Sequence, residues 1–254
     1  MTLLAVERIK LLSTRSPWWC AVASVVLAGS FTALVVGNAT PEFPATVAAT
    51  QFGYQLALAV IMVLGALSVT TEYRFNTIRT TFQAVPNRTA VLVAKATVVA
   101  LLALLIGELT AFSSWGLSLL LAPDYDLALD STADVVNVVG VGPVFAVAAV
   151  IAVAVGLLVR HSAGAISLLM IYTLAAESLV QLVPRFGDDI YQWLPFNVAH
   201  KFLTGDGESS GGAGFAGPPL STSQLSPGWA FAYFAAIGLG LLIIAIVTTN
   251  KRDA

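Results

Sequence analysis

Six apolar runs, at about 18–37, 52–70, 90–121, 135–159, 163–183 and 229–249, alternate with short polar stretches along the chain. A run of about twenty residues rising 1.5 Å per residue crosses a hydrocarbon core of roughly 30 Å. The pattern therefore predicts an all-α integral membrane protein with six transmembrane helices in a single transmembrane domain, 1–254. The third run would reach roughly 46 Å as one helix, so it must tilt or protrude, with its first turns near Lys95 at the membrane surface. Ahead of the first run, Ala5, Ile9 and Leu12 fall on one helical stripe beside Arg8, Lys10 and Arg15. That arrangement predicts a helix lying in the interface. A secretory signal would share the basic start and apolar core, but this core is too long and five further runs follow.

Two polar stretches stand out. Residues 71–95 carry Glu72, Arg74 and Arg79 among Tyr73, Phe75, Ile78 and Phe82. Ile78 and Phe82, four apart, share a helical face. Pro86 disfavours helix at Val85, so only a short helix fits between Glu72 and Ala84. The other stretch, 184–228, is the longest connection. Its first part holds Ile190, Tyr191, Trp193, Leu194 and Phe196, which predict short re-entrant helices. Gly205 to Pro219 is rich in glycine and serine and reads as a flexible loop, without the Gly-Lys-Ser/Thr of a phosphate loop.

Composition supports the membrane class and excludes an ordinary soluble domain. Hydrophobic residues make up 57% and charged residues 10%, against roughly a quarter charged in soluble domains. Cys20 is the single cysteine, so there is no internal disulfide and no cysteine metal cluster. Charge then sets orientation. With the N-terminus inside, Arg8, Lys10, Arg15, Arg74, Arg79, Arg88, Lys95, Arg160, Lys251 and Arg252 lie inside, and of the 12 basic residues only Arg185 and Lys201 lie outside. Both termini are expected in the cytoplasm. Trp18, Trp19, Tyr73, Tyr125, Trp193 and Trp229 fall near span ends, as interfacial anchors do. Small residues recur four apart at Ala148, Ala152 and Gly156 and at Ala232, Ala236 and Gly240, permitting close helix contact within the chain or with a second one.

Two acids fall inside spans. An intramembrane carboxylate defaults to a functional reading, which makes Glu108, at mid-span, and Glu177, near the outer end, the translocation-path candidates. The competing reading is a hydrogen-bonded brace, with Thr110 or Ser113 beside Glu108, and for Glu177 a side chain that reaches the outer interface. His161 and His200 lie on opposite faces, where surface roles are expected. No metal-ligand spacing, nucleophile motif or Walker sequence is present, and no catalytic residue is assigned.

The run Glu72-Tyr73-Arg74, Thr77-Ile78-Arg79, Pro86, Arg88 and Lys95 resembles the loop between the second and third spans of ABC-2-type transporter permeases. Asn76 stands where relatives often have glycine, and asparagine tolerates the left-handed conformation. The long loop before the last span, with Trp193-Leu194-Pro195-Phe196, is similar to the family's short outer helices. The resemblance implies a permease subunit of an ABC exporter in the inner membrane, moving a drug, lipid or peptide. It implies a coupling helix formed by Glu72, Tyr73, Arg74, Thr77, Ile78, Arg79 and Phe82, with Ile78 and Phe82 filling a groove on a separate ATPase. Two ATPase subunits would carry ATP and Mg, with no cofactor on this chain. A second permease chain, identical or paralogous, would complete the pathway, membrane lipid would surround it, and no nucleic acid is expected. The alternative from the residues is an ion-coupled carrier or intramembrane enzyme using Glu108 and Glu177.

Overall fold

The computed structural model describes residues 2–85, 87–205 and 220–252. Pro86 and most of the glycine-rich stretch, including Asp206 and Glu208, lie outside the described residues. Within them the fold is helical, with one isolated bridge between Thr40 and Phe43.

Helix α1 (Leu3–Leu12) leads to α2 (Ser16–Val36), whose first turn holds Pro17, the position where a missing N–H costs least. A short α3 (Val47–Thr50) precedes α4 (Tyr54–Arg74). The chain then turns at Asn76 into α5 (Thr77–Ala84). Helix α6 (Arg88–Leu121) starts at Asn87, whose side chain accepts from the Ala90 N–H at 3.0 Å. Helix α7 (Thr132–Val139) begins with a Ser131/Asp134 capping box and continues past Gly140 into α8 (Val141–Val159). Helix α9 (Ser162–Ile171) runs through a π turn at Tyr172–Ala176 into α10 (Glu177–Val180). The small α11 (Gly187–Tyr191) and α12 (Pro195–Thr204) follow, and α13 (Pro227–Arg252) ends the described chain.

Among the described residues six helical stretches are long and apolar enough to cross a membrane: α2, α4, α6, α7 with α8, α9 to α10, and α13. Their ends differ from the pattern in one way that matters. Helix α4 continues through Thr71, Glu72, Tyr73 and Arg74, so Glu72 belongs to the last turn of a span and not to a loop.

Helix α8 is the centre of the bundle, packed by α4, α6 and α13 around Phe145, Phe234, Ile61 and Met62. Close approach needs small residues: a Cβ at Gly65 of α4 would lie 2.8 Å from Ala152 Cβ, and one at Gly156 of α8 would lie 3.2 Å from the Ala66 carbonyl. The Ala148, Ala152, Gly156 stripe therefore packs inside the chain. The Ala232, Ala236, Gly240 stripe does not, since Ala232 and Ala236 are exposed and nothing lies near Gly240. The first and fifth spans are peripheral, 22% and 17% buried against 67% for the fourth.

One histidine is misplaced by sequence reasoning. His200 on α12 is buried, not a surface residue, because its ring stacks on Tyr54 and its Nδ1 shares a 2.6 Å hydrogen bond with the Tyr54 hydroxyl. His161 accepts from the Gly164 N–H at 3.1 Å and so caps α9.

Candidate functional site

The bundle has one basic end, where α1, the end of α4, α5, the start of α6 and the ends of α8 and α13 meet. Helix α1 presents two faces there. Leu4, Ile9 and Leu12 point outward, which suits a lipid interface, while Glu7 is 4% exposed and points into the bundle.

Glu7 is one member of a four-residue ion cluster. Lys95 Nζ, two turns into α6, donates to Glu7 Oε2 at 2.5 Å and to Glu72 Oε1 at 2.9 Å. Lys10 Nζ donates to Glu7 Oε1 at 2.8 Å and lies 3.6 Å from Glu72 Oε1. The Lys95 and Glu7 side chains are each 5% exposed. Two acids and two amines cancel in charge, which is what allows such a group away from water; single buried charges cost several kcal/mol. Burial by itself would push the Glu7 carboxyl up, but Lys95 and Lys10 outweigh it and hold it below the usual range. Burial would lower Lys10, and Glu7 and Glu72 raise it instead.

The cluster binds three helices into one body and reaches a fourth. Glu7 brings α1, Glu72 brings α4, Lys95 brings α6, and Lys10 Nζ also donates to Thr81 Oγ1 of α5 at 3.2 Å. Lys95 is thus buried in an ion network two turns into α6. Glu7 was missing from the sequence-derived site because α1 read as a surface helix. Its signal was a lone acid three residues before Lys10 in an otherwise basic segment.

Helix α5 is held against the bundle by its apolar side. Asn76 reaches it in the left-handed conformation, φ 57° and ψ 14°, the geometry for which glycine or asparagine is suited. Ile78 is 4% exposed, and Phe82 is half-buried against the core with the Arg88 guanidinium 5.5 Å from its ring centre. Tyr73 is half-buried, with the Arg160 guanidinium 4.9 Å from its ring. The face shared by Ile78 and Phe82 packs toward this chain, with Ile78 buried and Phe82 half-buried. Glu72, expected on the coupling helix, lies instead at the end of α4 and is engaged by Lys95. The outward surface is Arg74, Phe75, Thr77, Arg79, Thr80 and Gln83, and Phe75 is 67% exposed.

The two translocation-path candidates separate. Glu177 is 5% exposed, and its Oε1 and Oε2 accept from the Phe196 and Asn197 N–H groups, both at 3.0 Å. It caps the start of α12, where a carboxylate meets unpaired N–H groups and the positive end of the helix dipole. These bonds hold the fifth span to the start of α12. Glu108 is half-buried and lies over Gly142, with Thr110 turned to its own helix through a 2.7 Å bond to the Ile106 carbonyl. Among the described residues no group of three His, Cys, Asp or Glu could hold a metal.

A cavity of about 590 Å³ opens beside the ion cluster, between α1, α2, α4 and α6, with Leu64, Leu67, Val98 and Val99 on its apolar walls. Nothing in this arrangement is a set of reacting groups. What it forms is a helix at the edge of a helical bundle, tied through Lys10 to the ion cluster of α1, α4 and α6.

Comparison with curated proteins returned no match. A family model described as ABC-2 family transporter protein matches residues 3–176, from α1 into the fifth span. The chain accordingly belongs to the ABC-2 transporter family, as a multi-pass membrane permease subunit of an ABC transporter whose family works with an ABC ATPase.

Proposed function

We propose that this chain is the membrane half of an ATP-driven exporter, with both termini and α5 in the cytoplasm, where positive charge is retained. Two permease chains, identical or paralogous, form the pathway at their interface, and two ATPase subunits with ATP and Mg act from below. The cargo is hydrophobic or amphiphilic, a drug, lipid or peptide, consistent with spans that offer few polar groups. The ATPase contacts Phe75, Arg74 and Arg79 on the outward side of the α4–α5 corner. Ile78, Phe82 and Tyr73 fix that corner to the bundle, and Glu72 passes its movement to Lys95 and Glu7. The observation that carries this reading is the ion cluster joining α1, α4 and α6, with Lys10 reaching α5.

A carrier or intramembrane enzyme built on Glu108 and Glu177 loses one of its two carboxylates to the α12 cap. The transporter reading is tested by co-purifying the ATPase with permease variants. An exposed aromatic at an interface commonly contributes a few kcal/mol and a rim charge less. Phe75→Ala is expected to release the ATPase, Arg79→Ala to weaken its attachment, and Ile78→Ala to lower permease stability. Full retention by a Phe75→Asp, Arg79→Glu double variant removes the coupling role.

A further inference from the structure

The cavity beside the ion cluster is polar at one end and apolar at the other. Glu72 and Lys95 border it near the helix ends, while Leu64 lies about 12 Å further into α4 and Val98 and Val99 lie one turn further along α6. Because α2 begins at Ser16, α4 ends at Arg74 and α6 begins at Arg88, the polar end sits where three spans leave the membrane. Its hydrogen-bonding groups are unequally committed. Lys95 and Lys10 each donate to Glu7, Lys95 also to Glu72 and Lys10 also to Thr81. The hydroxyls of Ser13, Thr14, Ser68 and Thr71 spend their single proton on carbonyls about one turn earlier, Ser68 at 2.7 Å and Thr71 at 2.6 Å, so toward the cavity they offer only lone pairs. Glu72 gives Oε1 to Lys95, and its Oε2 is buried without a hydrogen-bond partner among the described residues. A buried carboxylate oxygen left without a donor costs free energy that a bound N–H recovers.

We infer that this cavity binds the primary ammonium head of an amphiphile, with its N–H groups on Glu72 and the Ser68 and Thr71 hydroxyls and its alkyl chain along Leu64, Leu67, Val98 and Val99. A primary ammonium carries donors and no acceptor, which is the complement of this lining, and a quaternary ammonium carries no donor at all. An anion finds no such complement, since it would meet amines whose charge two carboxylates already balance. The volume, about 590 Å³, falls within the roughly 300–1,000 Å³ of small-molecule sites. Phosphatidylethanolamine and an alkylamine share the recognised chemistry.

The test uses the full chain without its ATPase, so its result is independent of the transport reading. The purified permease is titrated with dioleoyl phosphatidylethanolamine, its N-methyl and N,N-dimethyl forms, phosphatidylcholine and phosphatidylglycerol, and bound lipid is read by native mass spectrometry. Binding is expected to fall with each added methyl, by about tenfold in all from ethanolamine to choline. Glu72→Gln should remove most of that preference, and Ser68→Ala with Thr71→Val, which leaves the ion cluster intact, should lower it a few-fold. The ratio of ethanolamine to choline lipid is read within one sample, so a folding defect that lowers both does not imitate the effect. Dodecylamine separates the two sources: displacement of the lipid by it, and not by dodecyltrimethylammonium, assigns the site to alkylamines in general, and resistance to both assigns it to the phospholipid. Equal binding of the choline and ethanolamine lipids, or tighter binding of phosphatidylglycerol, overturns the inference. So does an unchanged ratio in Glu72→Gln or, if that variant does not fold, in the Ser68→Ala, Thr71→Val pair.

Discussion

Replacing Lys95 by methionine tests the ion cluster directly. The side chain is 5% exposed and makes two of the cluster's bonds, to Glu7 and Glu72. Methionine keeps the stem and removes the charge, leaving two carboxylates served only by Lys10. Removing one partner from a buried ionic group costs about 3–5 kcal/mol. For a chain of this size each kcal/mol lowers the midpoint by roughly 2–4 °C, so the fall is on the order of 10 °C. Lys10→Met provides the scale. Its side chain is 37% exposed, and solvent screening holds such pairs to about 1 kcal/mol or less. Adding Glu72→Gln to Lys95→Met returns the cluster to neutrality and should recover much of the loss, a coupling that a double-variant cycle measures. The assay is thermal unfolding of the detergent-purified permease, followed by tryptophan fluorescence and by monodisperse elution after heating. The reasoning fails if Lys10→Met costs as much as Lys95→Met, or if Glu72→Gln deepens the Lys95→Met defect.

Three more outcomes follow from the same geometry. Because the folded state holds the Glu7 carboxyl below its ordinary value, its contribution is complete above the unfolded value and is lost as pH falls through the folded one; the raised Lys10 contributes fully below its ordinary value and fades as pH rises through its folded one. Thermal midpoints should therefore drop at both extremes, and Glu7→Gln should flatten the acid limb. Asn76→Gly should be neutral, whereas Asn76→Val should cost about 1–2 kcal/mol at φ 57°, read as a lower midpoint with α5 loosened to protease. Glu177→Gln should cost about 1–2 kcal/mol through the weakened α12 cap and leave substrate-stimulated ATPase activity in proportion to folded protein. Lost transport at an unchanged midpoint would return Glu177 to the pathway.

The helices were legible in the chain because burial in hydrocarbon writes itself into composition. Twenty apolar residues in a row admit few structures other than a spanning helix, since every backbone N–H and C=O must be satisfied internally. Asn76 was legible for a local reason as well, because a tight turn into α5 restricts residue type whatever surrounds it. Charges that meet across the bundle leave no such mark. Glu7 and Lys95 stand 88 positions apart, and neither neighbourhood announces the other. Side-chain direction on α5 was equally out of reach, since Ile78 and Phe82 on one helical face are consistent with packing inward or outward until the neighbouring helices are placed. The same holds for Glu177, whose partners are N–H groups on a helix nearly twenty residues later. The sequence alone determined which segments cross the membrane and where they turn, because those are local free energies summed along the chain. Which charges pair and which face of α5 is inward were decided by the tertiary structure, because those depend on distances between helices that no local pattern encodes.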